Sequence, residues 1–287
     1  MNSPRLRRRW RKMKKNDAAG AEALLRANER WCLNACGRFL NSRGPLSKDD
    51  AVWVLKGEAN DVPALIVHSR QSLLPVLRGR MDIPPPDFLR RLFGTVPVHS
   101  LQGRKEDALI LEAALEKMGL AAAVNTDYDL MCLDRPPSGF QSYGPAGLVI
   151  RRPQYADIDA LAELQAAYEL VEVLPAGAVL NPAVSRLNTE RIFREEQILV
   201  AVIDGRLAGK INTNASGFTR FQVGGVYVHP DYRGLGIARR MTGEFAAGLI
   251  CQGRGVTLFV KKANTAARRA YQSVGFELSG DYRISYY

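Results

Sequence analysis

The stretch VHPDYRGLGIARRM, residues 228–241, decides how this chain is read. An extended apolar start runs into a His-Pro-Asp turn, two glycines stand one residue apart, and a helical run with paired arginines follows. Two nucleotide loops can be tested on it. Counting on from Gly234 and Gly236 puts Arg239 where a dinucleotide fingerprint needs its third glycine, and the Gly-Lys-Ser/Thr of a P-loop is absent. What remains is Arg233-Gly234-Leu235-Gly236-Ile237-Ala238 between a strand and a helix. Without side chains at 234 and 236 the backbone N–H groups can face a concavity, and the helix adds the partial positive charge of its N-terminus, which together suit a pyrophosphate. Arg233 can add a forked donor. Taken alone, the same residues read equally well as a tight turn with no ligand.

Working outward, the flanks are punctuated clearly. Downstream come a helix to about Cys251, the strand VTLFV (256–260), a helix over 264–274 and a last strand DYRISYY. Upstream, LVIRRP (148–153) reads as a strand, followed by a helix over 157–171 and a helix over 183–195. Strands follow at 197–203, 206–213 and 219–228, the first two joined by Asp204-Gly205, a strong hairpin signal. Gly224-Gly225 inside the last of these strands marks a bulge or the close approach of another backbone, or serves packing alone. A mixed order around one sheet means α/β or α+β.

The other half repeats the mixture. Leu24, Leu25, Trp31, Cys32, Ala35 and Phe39 recur at helical steps over 21–39. Strands are expected in AVWVLKG (51–57), ALIVHS (64–69) and LLPVL (73–77), and a short helix opens at Pro84-Pro85-Pro86. A strand at 96–101, a helix over 105–118 and a strand at 128–133 complete this half. Between them lies RPPSGFQSYGPAG (135–147), dense in Gly and Pro. The division expected is therefore a basic leader over 1–18, a first domain over 19–134, a linker over 135–147 and a second domain over 148–287.

Composition excludes several classes. With 287 residues and 46% hydrophobic content the chain can fill two cores. Apolar runs are strand-sized, far short of the roughly 20 residues of a membrane span. The first 15 residues carry eight Lys or Arg, which leaves +3 of the formal +11 for the other 272. Such a tail can hold nucleic acid or an anionic membrane surface, or simply be a solvated, disordered leader. No apolar segment follows it as in a secretory signal, so a cytoplasmic location is expected. Cys32, Cys36, Cys132 and Cys251 form no CxxC pair and are expected as buried reduced thiols, and no metal site is expected.

The order strand, His229-Pro230-Asp231-Tyr232, then Arg233-Gly234-Leu235-Gly236-Ile237-Ala238 resembles the acyl-CoA-binding motif of the GNAT superfamily of N-acetyltransferases. Lys261 to Phe276, KKANTAARRAYQSVGF, is similar to that family's downstream segment in its Asn, Ala, Tyr and Gly-Phe. The likeness covers roughly 148–287. The first half resembles a degenerate GNAT-like domain without the Gly-x-Gly loop. The resemblance implies a GNAT-like α/β fold with a mixed α+β sheet, and acetyl-CoA held by Val226, Tyr227, Val228, Arg233, Gly234, Leu235, Gly236, Ile237, Ala238, Asn264, Ala267 and Tyr271. It further implies direct attack of an amine on the thioester, with the carbonyl oxygen held by a backbone N–H near Val226 and Tyr271 protonating the departing thiolate.

For Tyr271 the other reading is a core aromatic beside Phe276, and for Asn264 a plain helix cap. The stretch expected to supply a base, RFQVGGVYVH, has no carboxylate. Glu172 and Glu169 in YELVEVLP are the substitutes, each readable as a solvated carboxylate at a helix end, with Tyr227 or a water chain as further possibilities. His229 reads as a turn residue. The function expected is an acetyl-CoA-dependent N-acetyltransferase acting on a primary amine of a small molecule or protein. The competing reading is a non-catalytic CoA-binding or nucleic-acid-associated module.

Overall fold

Within the basic N-terminal run one tryptophan is buried. The computed structural model describes residues 9–41, 51–57, 61–77, 79, 83–95, 98–174 and 177–287. The leader expected to be solvated over 1–18 lies outside the described residues only as far as residue 8. Trp10 is 5% exposed, its ring centroid is 5.5 Å from that of Phe88, and it lies in a short strand β1 (Trp10–Lys12) paired with β2 (Ala51–Leu55). Burial of one large aromatic outweighs the solvation of its charged neighbours, whose side chains can still reach water.

The chain forms two units, residues Met1–Asp129 with Gly280–Tyr287, and Leu130–Ser279. In the first, β1 leads through a 3₁₀ turn (Lys15–Asp17) to α1 (Ala18–Asn41). After β2 come β3 (Ala64–Ser69), β4 (Ser72–Val76), α2 (Pro86–Thr95), β5 (Ser100–Arg104), α3 (Lys105–Glu116) and β6 (Val124–Leu133). Every residue of β3 is buried, so it reads as a continuous apolar run instead of an alternating one. The β3–β4 turn places Arg70 (φ 49°) and Gln71 (φ 62°) in left-handed conformation without glycine, so the sequence carries no hairpin signal there. α1 is kinked at Cys32 (φ −129°, ψ 33°), whose thiol donates to the Asn28 carbonyl at 3.1 Å.

The second unit continues with β7 (Val149–Arg151), a 3₁₀ turn (Tyr155–Asp157), α4 (Ile158–Tyr168), a π-helical turn (Glu169–Val173) and α5 (Pro182–Glu195). Then come β8 (Ile198–Ile203), β9 (Arg206–Ser216), β10 (Arg220–Val228), α6 (Ile237–Cys251), β11 (Gly255–Lys261) and α7 (Thr265–Val274), before β12 (Glu277–Tyr286). Strand order is β1-β2-β3-β4-β5-β12 in the first unit and β6-β11-β10-β9-β8-β7 in the second, the division between the units falling within β6 after Asp129. The mixed α/β class expected from the sequence is the one found. The last strand, Gly280 onward, belongs to the first unit. Arg283 there bonds Glu112 of α3 at 2.9 Å and Asp127 at 2.8 Å, and β12 pairs antiparallel with β5. Periodicity places strands but does not choose their partners.

The segment 135–147 is anchored in the second unit. Phe140 is 5% exposed, and a Cβ on Gly243 of α6 would come within 2.2 Å of its ring. Three of the four cysteines are buried as expected, but Cys251, at the C-terminal end of α6, is exposed.

The two units open alike. Arg11 grips Asp17 through two bonds of 2.6 and 2.7 Å while the Lys14 amide donates to Asp17 at 2.7 Å. Arg151 grips Asp157 at 2.6 and 2.9 Å while the Gln154 amide donates to Asp157 at 2.6 Å. Strand, capped 3₁₀ turn and long helix thus recur with the same bonds at the same spacing. The Arg151 guanidinium, then the Gln154 amide, hold the Asp157 carboxyl below its usual range against the opposing effect of burial. A depressed folded-state pKa means stability present above the unfolded value near 3.9 and lost as pH falls through the folded one. Asp157→Asn is therefore expected to destabilise by about 1–3 kcal/mol at pH 7. In urea titrations that gap should shrink below about pH 4; an equal gap at pH 3 would remove the ion pair as its source.

Candidate functional site

Where β10 leaves its parallel neighbour, the second unit opens. β10 and β11 pair at Arg220, Phe221 and Gln222 only, opposite Gly255, Val256 and Thr257. On its other edge β10 stays with β9, but the register slips between Gly224 and Tyr227. Three steps on β10 (Gly224 to Tyr227) face two on β9 (Asn212 to Lys210), the signature of a bulge. Gly224-Gly225 therefore marks a bulge, with Gly225 at φ +57°. The His229 amide donates to Ala208 of β9 at 2.9 Å, so by alternation the backbones of Val226 and Val228 face away from β9, toward the gap.

At the mouth of the gap, Pro230–Tyr232 make a 3₁₀ turn capped by the His229 side chain. The Arg233 Nε donates to the Val228 carbonyl at 3.1 Å, and the guanidinium lies 5.6 Å from the Tyr227 ring centroid. Gly234 and Gly236 both sit at φ +80°, Gly236 as the cap of α6. Among the described residues, the amides of 235 to 238 have no backbone acceptor. A Cβ on Gly234 would meet open space, whereas one on Gly236 would come within 3.3 Å of the Tyr143 Cβ and 3.2 Å of the Gly144 amide. Tyr143 also stacks under Arg239 at 5.0 Å, so part of the Gly-Pro-rich segment walls the loop, a contact the sequence does not announce. The cradle fits a pyrophosphate: amides without a backbone acceptor, a helix N-terminus and basic side chains.

On the far side of the gap, Asn264 caps α7 by accepting from the Ala267 amide at 3.1 Å, and its own amide donates to Glu172 at 3.3 Å. Lys261 bridges to Glu172 at 3.3 Å. Two turns on, Tyr271 is 7% exposed, 6.0 Å from the Phe276 ring, and part of the unit's core. Burial first, then the nearby Tyr168 and Glu172, push its phenol pKa well up. The structure thus brings Tyr271, Asn264, Ala267 and Glu172 together. Glu169 is turned instead toward α5, accepting from Gln165 at 2.7 Å and Asn188 at 2.8 Å. It lines a groove of about 470 Å³ with Val173, Leu174, Val184, Leu187 and Arg191. Both carboxylates are engaged by protein donors, so neither is the lone solvated end-group of the plain sequence reading.

Three residues at the gap escape the sequence reading: Tyr168, Lys210 and Asn212. Lys210 is 1% exposed on β9; its Nζ donates to Asn212 Oδ1 at 2.9 Å and the Gly225 carbonyl at 3.0 Å, 4.9 Å from the Tyr168 ring centroid. Burial pushes its pKa down to about 7, against the opposite pull of Glu169. Burial likewise pushes Tyr168 up to about 12, opposed by a backbone hydrogen bond with Gly225. A lone lysine in the apolar run LAGKIN was the available signal.

A splayed strand pair, a bulge and a glycine loop capping a helix together form a cleft suited to a ligand that carries a pyrophosphate. Residues 194–278 match the family model described as acetyltransferase (GNAT) domain. The GCN5-related N-acetyltransferase from Sphaerobacter thermophilus is similar over 99% of this chain and 96% of its own, with TM-score 0.64 and 19% identity. A tandem GNAT protein from the clavulanic acid biosynthesis pathway is similar over 97% and 98%, with TM-score 0.57 and 15% identity. A GNAT-family acetyltransferase from Colwellia psychrerythraea is similar over 97% and 98%, with TM-score 0.55 and 12% identity. No curated protein matches the sequence. These likenesses extend the GNAT-like fold over nearly the whole chain. Among the described residues, no helix is long and apolar enough to cross a membrane and no metal-binding cluster occurs.

Proposed function

We propose that the second unit is an acetyl-CoA-dependent N-acetyltransferase acting on a primary amine of a small molecule or protein. The observation that carries this reading is the gap between β10 and β11, with the amides of 235–238, which have no backbone acceptor among the described residues, at one end and Tyr271 buried at the other. When bound, acetyl-CoA supplies an activated acetyl group. The chain's own residues do the rest. The loop and the α6 N-terminus would hold the pyrophosphate. The Val226 and Val228 backbones offer strand-like hydrogen bonds to pantetheine. With acetyl-CoA bound, the Val226 amide would be the donor to the thioester carbonyl oxygen, and the Tyr271 phenol, kept protonated by burial, would be the proton donor to the departing thiolate. Glu172 or Glu169 would receive the amine proton, directly or through water.

Titration calorimetry is expected to give one acetyl-CoA site per chain, and a panel of primary amines is expected to release CoA thiol above the hydrolysis background. Binding without release from any amine would leave the non-catalytic CoA-binding module as the better account. Residues 1–8 lie outside the described residues. A role for the basic tail with nucleic acid is tested by deleting residues 1–8, which leaves β1 and buried Trp10 in place, and unchanged affinity would end that role.

A further inference from the structure

The carbonyl of Gly225 and the amide of Val226 are the two ends of one planar trans peptide, so whatever fixes the carbonyl aims the N–H the opposite way. Glycine at φ +57° gives this peptide more freedom than any other residue would, and the register slip removes the ladder that would otherwise hold it. The carbonyl nonetheless has a partner, the Nζ of Lys210 at 3.0 Å, reached through the interior of the unit. We infer that Lys210 is a positioning residue for acyl transfer: by holding the Gly225 carbonyl it aims the Val226 amide into the gap as the donor to the reacting carbonyl. This rests on the reading above.

The surroundings support a structural clamp more than a surface charge. Facing Lys210 are Tyr168 at the end of α4, Glu169 in the π-helical turn, Val200 as its register partner on β8, and Tyr227 as its register partner on β10. No carboxylate forms an ion pair with it among the described residues, and an unpaired buried ammonium is costly, which favours the neutral amine. A neutral amine has two N–H groups, and Gly225 and Asn212 supply two acceptors. Asn212 is itself held, donating to the Thr213 carbonyl at 2.8 Å and to Asn214 at 3.0 Å, so the clamp has a fixed base. Gly225 has no room for a side chain here: a Cβ would lie 2.7 Å from the Lys210 Nζ and 2.0 Å from Asn212 Oδ1.

The test compares the wild-type full chain with Lys210→Met, which keeps the volume and deletes the donor, and with Lys210→Gln, which retains a shorter one. Two readouts are used: steady-state kinetics with the amine that gives the fastest release of CoA thiol in the panel, and the ¹³C resonance of [1-¹³C]acetyl-CoA bound without acceptor. Expected for Lys210→Met is a kcat about 10- to 100-fold lower, with KM for acetyl-CoA unchanged, as for loss of aim at an oxyanion donor. The bound carbonyl resonance, displaced downfield by wild type, should return toward the free position, with Lys210→Gln intermediate. An unchanged resonance and kcat in folded Lys210→Met overturn the inference while leaving the acetyltransferase reading intact. Failure of wild type to bind acetyl-CoA overturns both. If Lys210→Met does not fold, the same comparison with Lys210→Gln decides.

Discussion

Gly236→Val is expected to raise the Kd for acetyl-CoA by at least about 100-fold, or about 2.7 kcal/mol. Three costs act together. A β-branched residue at φ +80° pays about 1–2 kcal/mol in backbone strain. Its Cβ would stand 3.3 Å from the Tyr143 Cβ and 3.2 Å from the Gly144 amide, so the wall formed by that segment must move. Relief of either strain rotates the cap of α6 and turns away amides, each worth about 1.5–3 kcal/mol to a charged acceptor. Gly234→Ala makes the control, since it has the same φ but open space around the Cβ. Strain alone then limits its effect to about 1–2 kcal/mol, at most some 30-fold. Calorimetry on both, with thermal melts to show that the fold survives, checks the order. A Gly236→Val protein that binds within threefold of wild type would return the loop to a tight turn without a ligand.

That loop was the most legible part of the site because its chemistry is backbone chemistry. Glycines, a preceding strand and a following helix are visible in sequence, and the φ of +80° at both glycines is the conformation such spacing requires. Elements with strong periodicity were equally open: α3, α6 and the Asp204-Gly205 hairpin fall where the apolar pattern puts them, with Asp204 and Gly205 both at positive φ. What stayed hidden depends on partners distant in sequence. Lys210 and Gly225 meet only because β9 and β10 pair with a bulge, and Tyr143 reaches the loop from 91 residues before residue 234. Trp10 was masked by its charged neighbours, and the return of Gly280–Tyr287 to the first unit depends on Arg283 finding Glu112 and Asp127. The matching Arg-Asp clamps at 11/17 and 151/157 were present in the sequence as equal spacings. Two residues are too few to stand out before geometry shows that they make the same bonds.

Tyr271→Phe is expected to lower kcat by about 10²–10⁴-fold, the usual range for a general acid, with little change in acetyl-CoA affinity. Two roles compete for this side chain, and the structure makes both physically sound. As a core residue it is 7% exposed and packs beside Phe276, and phenylalanine would keep that contact, leaving stability within about 1 kcal/mol. As an acid it needs a proton to give, and burial with Tyr168 and Glu172 nearby keeps the phenol protonated throughout the range in which an enzyme works. The substitution deletes one oxygen and leaves the ring, so the core role predicts unchanged turnover and the acid role predicts its loss. A pH profile sharpens the division. Because its pKa is pushed up and not down, Tyr271 should contribute no alkaline limb to kcat below pH 10, the ordinary value of a tyrosine. A wild-type alkaline limb below pH 10 that disappears in Tyr271→Phe would contradict the raised pKa. Unchanged kcat in the variant would assign the ring to the core alone and leave the thiolate to be protonated by water.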